Sequence, residues 1–301
     1  MHIVITGASS FLGRACIRKL QEHGHDVTAF RHSYNEEPPE NVPEQADIWV
    51  HFAWAGEGSE GRSDPAIQQY NLEMSMDALE KAISMGCRKF IFAGSQAEYG
   101  RAQDGGPKKE DGPVAPVSEY GRAKELFSHF AFARAEAYNA SEECKRPLRY
   151  VHMRLFSVYG PGDHPGSLIN TLVECLAADS DVELGPCRQL WNYLYIDDAA
   201  EAVAVLCEKF TSGVYNVGSC DTRPLREYVE EAHDIIAETT SKAREGWRPA
   251  GVLHFESRGD NAEGAADLSP DITKLQLTGF TPQVSFADGI RKILEAKGLM
   301  G

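Results

Sequence analysis

Tyr120 and Lys124 stand four residues apart in Tyr120-Gly121-Arg122-Ala123-Lys124. That spacing puts both side chains on one face of a helix. An ammonium held beside a phenol favours the tyrosinate and draws the phenol's pKa toward working pH. Tyr120 then becomes a usable general acid or base for a carbonyl/alcohol pair. Ser95, at the end of the apolar run Lys89–Ala93, adds a hydroxyl that can polarise the substrate oxygen. Tyr-x-x-x-Lys alone arises often by chance. The three groups together, in a chain that also carries a dinucleotide turn, are specific.

That turn is Thr6-Gly7-Ala8-Ser9-Ser10-Phe11-Leu12-Gly13, which follows the first apolar run and opens the first helical one. Small residues there let backbone N–H groups approach a pyrophosphate at the helix N-terminus. Gly7 allows the turn, and Gly13 lets the helix pack closely on the sheet. The second strand, His25–Phe30, ends in Arg31, followed by His32 and Ser33. An acidic residue at this point would hydrogen-bond the ribose hydroxyls of NAD, whereas an arginine suits the 2′-phosphate of NADP. NADP is therefore the expected cofactor, with NAD the alternative.

The elements that must position these groups follow from periodicity. Short apolar runs alternate with amphipathic stretches over the first two thirds of the chain, the pattern of a parallel sheet with helices on both faces. Strands are predicted at Ile3–Thr6, Val27–Phe30, Ile48–Ala53, Lys89–Ala93, Tyr150–Leu155 and Val214–Val217. Helices are predicted at Phe11–His23, Pro65–Met85, Glu119–Tyr138 and Ala199–Lys209, and further ones at Leu168–Ala178, Leu225–Thr239 and Phe286–Ala296. Only 17 residues separate Phe30 from Ile48, with Pro38, Pro39 and Pro43 among them. That is too short for a full helix–strand–helix crossover, so one edge connection is predicted to be cut short. Arg101–Val117 is rich in glycine and proline, reads as a loop, and joins Ser95 to Tyr120.

Length and composition bound the function. The 301 residues suggest about two structural units, with 42% apolar and 25% charged residues, a globular balance. Thirty basic against 45 acidic side chains give a formal charge of −15, which opposes binding to nucleic acid or an anionic membrane. No stretch approaches the ~20 apolar residues of a membrane span, and no cleavable leader pattern opens the chain. Seven cysteines without a Cys-x-x-Cys pair fit reduced thiols in a cytoplasmic protein, with no metal site expected.

The chain resembles the extended short-chain dehydrogenase/reductases, the nucleotide-sugar epimerase, dehydratase and reductase family. The resemblance runs through Ile48–Ala55, Asn71, Ala93-Gly94-Ser95 to Tyr99-Gly100, and Pro116–Tyr120. It continues through Arg154–Pro161, Tyr195-Ile196-Asp197-Asp198, Tyr215–Gly218 and Arg258-Gly259-Asp260. It implies a Rossmann-type α/β fold, a doubly wound parallel sheet, with the dinucleotide domain at 1–160 and 190–220. A smaller α/β substrate domain would occupy 161–189 and 221–301 and grip a nucleoside-diphosphate sugar. The implied cofactor site comprises Gly7, Ser9, Ser10, Phe11, Leu12, Gly13, Arg31, Phe52, Ala53, Trp54, Asn71, Tyr120, Lys124 and Phe156. Lys124 would also hold the nicotinamide ribose, and Asn71 would help a water path recharge Tyr120. Substrate would meet Ser95, Gln96, Glu98, Ser157, Arg188, Trp191 and Arg258.

Departures from the family pattern narrow the chemistry. Ser10 replaces the middle glycine of Thr-Gly-x-x-Gly-x-x-Gly. Gln96-Ala97 replaces the Asp-Glu pair that serves water elimination in the 4,6-dehydratases, and Glu98 falls one place late, so dehydration is not expected. Ser157 replaces an asparagine that contacts the nucleotide phosphates. Trp191-Asn192-Tyr193 lacks the family's arginine, for which Arg188 or Arg258 could compensate. Trp54 replaces a small residue beside the nicotinamide. The expected reaction is hydride transfer at C4 of the sugar, a 4-keto-sugar reduction ahead of a 4-epimerisation with retained NAD. A non-catalytic dinucleotide sensor, which would be expected to lose Tyr120 or Lys124, is the distant alternative. Family members dimerise by pairing the helices at Pro65–Met85 and Glu119–Tyr138 into a four-helix bundle, to which Met74 and Met85 could contribute if they are not core.

Overall fold

The computed structural model describes residues 1–31, 43–56, 58–101, 106–243, 251–259 and 266–300. His32, Ser33, Pro38, Pro39 and Asp260, used in the sequence argument, lie outside these residues. In chain order the first half runs β1 (His2–Thr6), α1 (Phe11–Glu22), β2 (Asp26–Phe30), β3 (Ile48–His51), α2 (Ser59–Ser63), α3 (Pro65–Ser84) and β4 (Lys89–Ser95). A 3₁₀ turn at Gln96–Tyr99 leads to α4 (Glu119–Asn139), β5 (Arg149–Leu155), β6 (Ser157–Tyr159), α5 (Leu168–Ala177) and β7 (Val182–Glu183). The remainder is β8 (Leu190–Tyr195), α6 (Ile196–Glu208), β9 (Gly213–Val217), β10 (Thr222–Pro224), α7 (Leu225–Ala243), β11 (Leu253–His254), α8 (Thr273–Gln276) and α9 (Phe286–Ala296).

Six strands form one parallel sheet in the order β2-β1-β3-β4-β5-β9. Strands covered on both faces read as continuous apolar runs, and β3 and β4 are buried at every position. On one face α1 and α6 contribute Cys16, Leu20, Val203 and Leu206 to a core shared with Ile3, Ile5 and Val151. On the other, Leu79 of α3 and Phe127 of α4 pack with Val4, Trp49, Phe90, Phe92 and Tyr150. Met74 and Met85 are buried within the chain and belong to its core, not to an exposed helical face.

The short Phe30–Ile48 interval leaves β2 as the sheet edge among the described residues. Strand order reverses at β1, whose neighbours are β2 on one side and β3 on the other. In open α/β sheets a ligand crevice forms at such a reversal, outside the carboxyl ends of the strands.

The remaining strands build smaller sheets, β10-β8-β6 and β11-β7. The apolar core continues from the large sheet into α5, α7 and α9 through Leu172, Tyr228 and Phe286. Helix starts carry their own signals. Ser10, Asp64, Ser118, Ser167 and Ser285 each accept a backbone N–H from the first turn of the helix that follows. Such caps contribute about 1 kcal/mol apiece. No helix of the described residues is long and apolar enough to cross a membrane. None of the seven cysteines is in a disulfide, and no metal-ligating cluster occurs among the described residues.

Candidate active site

Gly7 leaves β1 with φ +74°, a left-handed conformation that glycine adopts without strain. A Cβ at this position would lie 2.5 Å from the Ala53 backbone nitrogen, so the turn and the end of β3 touch backbone to backbone. A Cβ on Gly13 would lie 2.4 Å from the Gly7 carbonyl oxygen, which explains the second glycine. Ser10 fits the middle position because its φ is −67°, ordinary for an L residue, and its Oγ accepts the Gly13 N–H at 3.0 Å. The first turn of α1 carries no acidic side chain. A helix N-terminus without a carboxylate is suited to a bound anion. Arg14 crosses the turn, donating to the carbonyls of Ser9 and Gly162. These residues fit a dinucleotide pyrophosphate.

The other expected cofactor residues separate into two groups. Ser9 and Arg31 are exposed, the latter at the end of β2, and Phe11 and Leu12 are half-buried at the start of α1. Phe52, Ala53 and Phe156 are buried, so they meet a ligand through backbone if at all.

Ser95 ends β4 and caps the 3₁₀ turn, its Oγ accepting the Ala97 N–H at 3.2 Å. Ser118 caps α4 through the Gly121 N–H, placing Tyr120 in the first turn. The two pieces meet at Gly121, where a Cβ would lie 2.7 Å from the Ala97 carbonyl oxygen. Ser95 is thereby brought toward the helix of Tyr120 by a glycine contact that no spacing rule reveals.

Lys124 is buried, and its Nζ donates to the Ala93 carbonyl at 2.6 Å. The same Nζ lies 3.6 Å from the centre of the Trp54 ring, 4.7 Å from that of Phe92 and 5.5 Å from that of Tyr120. An ammonium removed from water needs such partners, and ring faces supply part of the lost hydration. Trp54 is fixed in turn. Its indole N–H donates to Gln68 at 3.0 Å, and Gln68 donates to the Gly61 carbonyl at 2.7 Å. The Trp54 and Tyr120 rings meet edge to face at 6.1 Å. Arg62 of α2 places its guanidinium 4.4 Å above the Tyr120 ring. Two cations therefore flank the half-buried phenol.

Several expected contacts take other forms. Asn71 is fully buried, and its amide grips Ala55 by both backbone groups, accepting at 2.8 Å and donating at 2.9 Å. It therefore shapes the chain after β3 and has no accessible surface to offer a cofactor. Glu98 has no accessible surface and cannot touch substrate. Its carboxylate accepts from Ser95 N–H at 2.8 Å, His152 Nε2 at 2.9 Å and Arg154 Nε at 2.9 Å. Burial would raise its pKa, but His152 and Arg154 hold it below the usual carboxylate range.

Gln96 is half-buried and donates to the Ser157 hydroxyl at 3.2 Å, while its Oε1 is buried without a partner. Trp191 is half-buried against the cluster of Tyr99, Phe156 and Leu268. Arg188 is exposed and paired with Glu256, and Arg258 is exposed. His164 is a loop residue whose Nδ1 accepts the Gly166 N–H.

Sequence reasoning missed Arg62, Gln68, His152 and Arg154. Gln68 could have been found, since it lies one helical turn before Asn71 on α3. Arg62 and His152 carry no local signal.

Residues 3–218 match the NAD dependent epimerase/dehydratase family. The UDP-N-acetyl-alpha-D-glucosaminuronate decarboxylase of Bacillus cytotoxicus is 24% identical, over 97% of this chain and 96% of its own. The dTDP-4-dehydro-6-deoxyglucose reductase of Escherichia coli is 23% identical, over 98% and 96%. The crystal structure of the Thermus thermophilus UDP-glucose 4-epimerase complex with NAD superimposes with a TM-score of 0.78 at 22% identity, covering 98% of each chain.

Proposed function

The chain belongs to the NAD dependent epimerase/dehydratase family, and from that premise we propose that it reduces the 4-keto group of a nucleoside-diphosphate sugar with NADPH. The observation that carries this reading is Trp54. Its ring is anchored by Gln68, covers Lys124 and meets Tyr120 edge on. A fixed indole beside the reacting groups leaves little room for a keto-sugar to turn over, as a 4-epimerase requires. A reductase needs only one face.

The groups that would hold the cofactor are the Gly7–Gly13 turn and α1 N-terminus, Arg31, and Lys124. When bound, the nicotinamide supplies hydride to the sugar carbon. Ser95 donates a hydrogen bond to the developing oxyanion, and Tyr120 delivers the proton to that oxygen. Lys124, with Arg62 above the ring, stabilises the phenolate that remains. Gln96, half-buried and bonded to the Ser157 hydroxyl, is the side chain we assign to a sugar hydroxyl.

Relatives that act on UDP- and dTDP-sugars support a nucleotide sugar as substrate. Residues 161–189 and 221–301 are proposed to grip its nucleotide. A homodimer through α3 and α4 is proposed on the family precedent, with exposed Leu126 of α4 as a contact.

The test is the cofactor state of the purified protein, followed by titration with NADPH and NADH and a screen of 4-keto-sugar nucleotides. An empty protein that prefers NADPH by about tenfold or more, about 1.4 kcal/mol, and oxidises it with a keto-sugar, supports the reductase. Tightly retained NAD with no NADP preference would move the reading to a 4-epimerase.

A further inference from the structure

Glu98 lies three residues after Ser95, is sealed from solvent, and anchors hydrogen bonds in two directions. Toward the site, Oε1 accepts the Ser95 N–H, closing a reciprocal cap in which the Ser95 hydroxyl accepts from Ala97. That cap fixes the Ser95 oxygen and leaves its hydrogen to be donated to a substrate. The cap depends on Gly94, where a Cβ would lie 2.2 Å from His152 Nε2 and 2.6 Å from Glu98 Oε1. His152 Nε2 donates to Glu98, and its Nδ1 shares a hydrogen bond with the Tyr150 hydroxyl at 2.8 Å.

Away from the site, Oε2 holds Arg154 Nε at 2.9 Å, and Arg154 Nη1 reaches the Tyr99 hydroxyl at 3.1 Å and the Glu110 carbonyl at 3.2 Å. The Tyr99 hydroxyl donates to Asn216 Oδ1 at 2.7 Å. Asn216 donates to the Lys108 carbonyl at 2.7 Å and, through its backbone N–H, to the Glu110 carboxylate at 3.0 Å. Residues 108–110 are thus held on one side by Arg154 and Asn216, and on the other by backbone bonds of Lys108 to Ser269 and Asp271. They belong to the connection that runs from Ser95 to Tyr120, and that connection returns at Ala115, whose N–H donates to the Glu98 carbonyl at 3.1 Å.

We propose that Glu98 is a positioning residue for Ser95, and that through Arg154 and Tyr99 the same carboxylate couples the Ser95 hydroxyl to the seating of residues 108–110. The inference rests on the proposed reduction only for the role given to Ser95. A fully satisfied buried network rigidifies what it touches, and a half-satisfied one loosens it. Release of 108–110 therefore unsettles the hydroxyl that meets the substrate, although no residue of that segment need touch the substrate itself.

The test uses the full chain and two variants, Glu98→Gln and Tyr99→Phe. Hydrogen exchange is followed in peptides covering 95–99 and 106–112, beside NADPH affinity, kcat and KM. Glu98→Gln is expected to speed exchange in both segments by about tenfold or more, as local opening becomes easier. NADPH affinity should stay within about threefold and kcat should fall by about tenfold with little change in KM, the mark of an interaction made in the transition state. Tyr99→Phe leaves Glu98 and Ser95 in place and removes the hydroxyl that sits among Arg154, Asn216 and the Lys109 carbonyl, so its effect on kcat, not on 106–112, is the reading that tests the coupling. It should loosen 106–112 and lower kcat as well. If Tyr99→Phe loosens 106–112 without lowering kcat, or Glu98→Gln loosens 95–99 alone, the coupling is overturned. If wild-type protein turns over no keto-sugar, the proposed reaction fails. The exchange comparison needs no substrate and still decides the coupling.

Discussion

Removing one oxygen from Tyr120 separates catalysis from binding. Tyr120→Phe keeps the ring between Trp54 and Arg62 and deletes the proton donor. Turnover should fall by about 10²–10⁴-fold, the usual contribution of a positioned acid or base, while NADPH titration stays unchanged. Equal loss of affinity would show that the phenol only holds the cofactor. Trp54 makes a second residue-scale demand. Trp54→Ala removes the ring 3.6 Å from Lys124 Nζ and opens the space beside Tyr120. We expect kcat to fall about tenfold, in line with loss of a partly desolvated cation–π contact, and NMR of the product to reveal the second C4 epimer. A single epimer at undiminished kcat would remove the argument for a one-faced site. That Tyr120 and Lys124 stand together was legible in the sequence because one helix fixes their spacing, whereas Ser95 reaches that helix through the Gly121 contact. Glu98 was misread as a substrate contact because its partners His152 and Arg154 come from β5, more than 50 residues on, and only pairing of β4 with β5 brings them near.

Elements differ in how openly they declare themselves. α3 starts where Asp64 and Pro65 announce it, and β1, β3 and β4 are apolar runs that read as strands directly. α6 begins at Ile196, three residues before its periodicity suggests, with no side-chain cap to mark the start. β6 and β10 are three residues each and exist because β8 lies between them, a long-range fact with no local pattern.

α1 and α6 pack on one face of the sheet, and the His23–Glu208 pair pins the end of one to the other. The hydrogen bond to Glu208 raises the His23 pKa above its ordinary 6.5. Its contribution is full below pH 6.5 and fades as pH rises through the raised value. Burial pushes Glu208 upward, but His23 and His25 bring its carboxyl below 4.5, so its contribution is present above 4.5 and fades as pH falls through the lowered value. The clamp is therefore strongest between the two ordinary values. His23→Gln should lower Tm more at about pH 5.5 than at about pH 8.5. An equal loss at both would assign the effect to packing.

At the scale of the whole chain, α9 must dock on the layers around the large sheet, and beside the shared apolar core Asp198 makes a polar part of that join. The segment Tyr195–Asp198 was legible as a family motif, yet nothing local tells what its second aspartate does. In the fold its carboxylate lies near the start of α6, buried, and accepts the N–H groups of Gln283 at 3.0 Å and Val284 at 2.9 Å. Those residues lead into α9, whose Phe286 packs with Tyr159, Tyr193 and Tyr228. One carboxylate thus satisfies two successive backbone donors, of exposed Gln283 and half-buried Val284, on the approach to α9. Asp198→Ala removes the acceptor of both; water can take over at exposed Gln283, while a stranded N–H at half-buried Val284 costs about 1 kcal/mol or more. The urea midpoint should drop accordingly, and hydrogen exchange should rise over 282–296 while the peptides of β1, β3 and β4 stay protected. Asp198→Asn places an amide N–H against one of the two donors, so it should recover only part of the loss. Exchange rising equally across the large sheet would mean that α9 and that sheet open as one unit, and that Asp198 is no more than one contact among many.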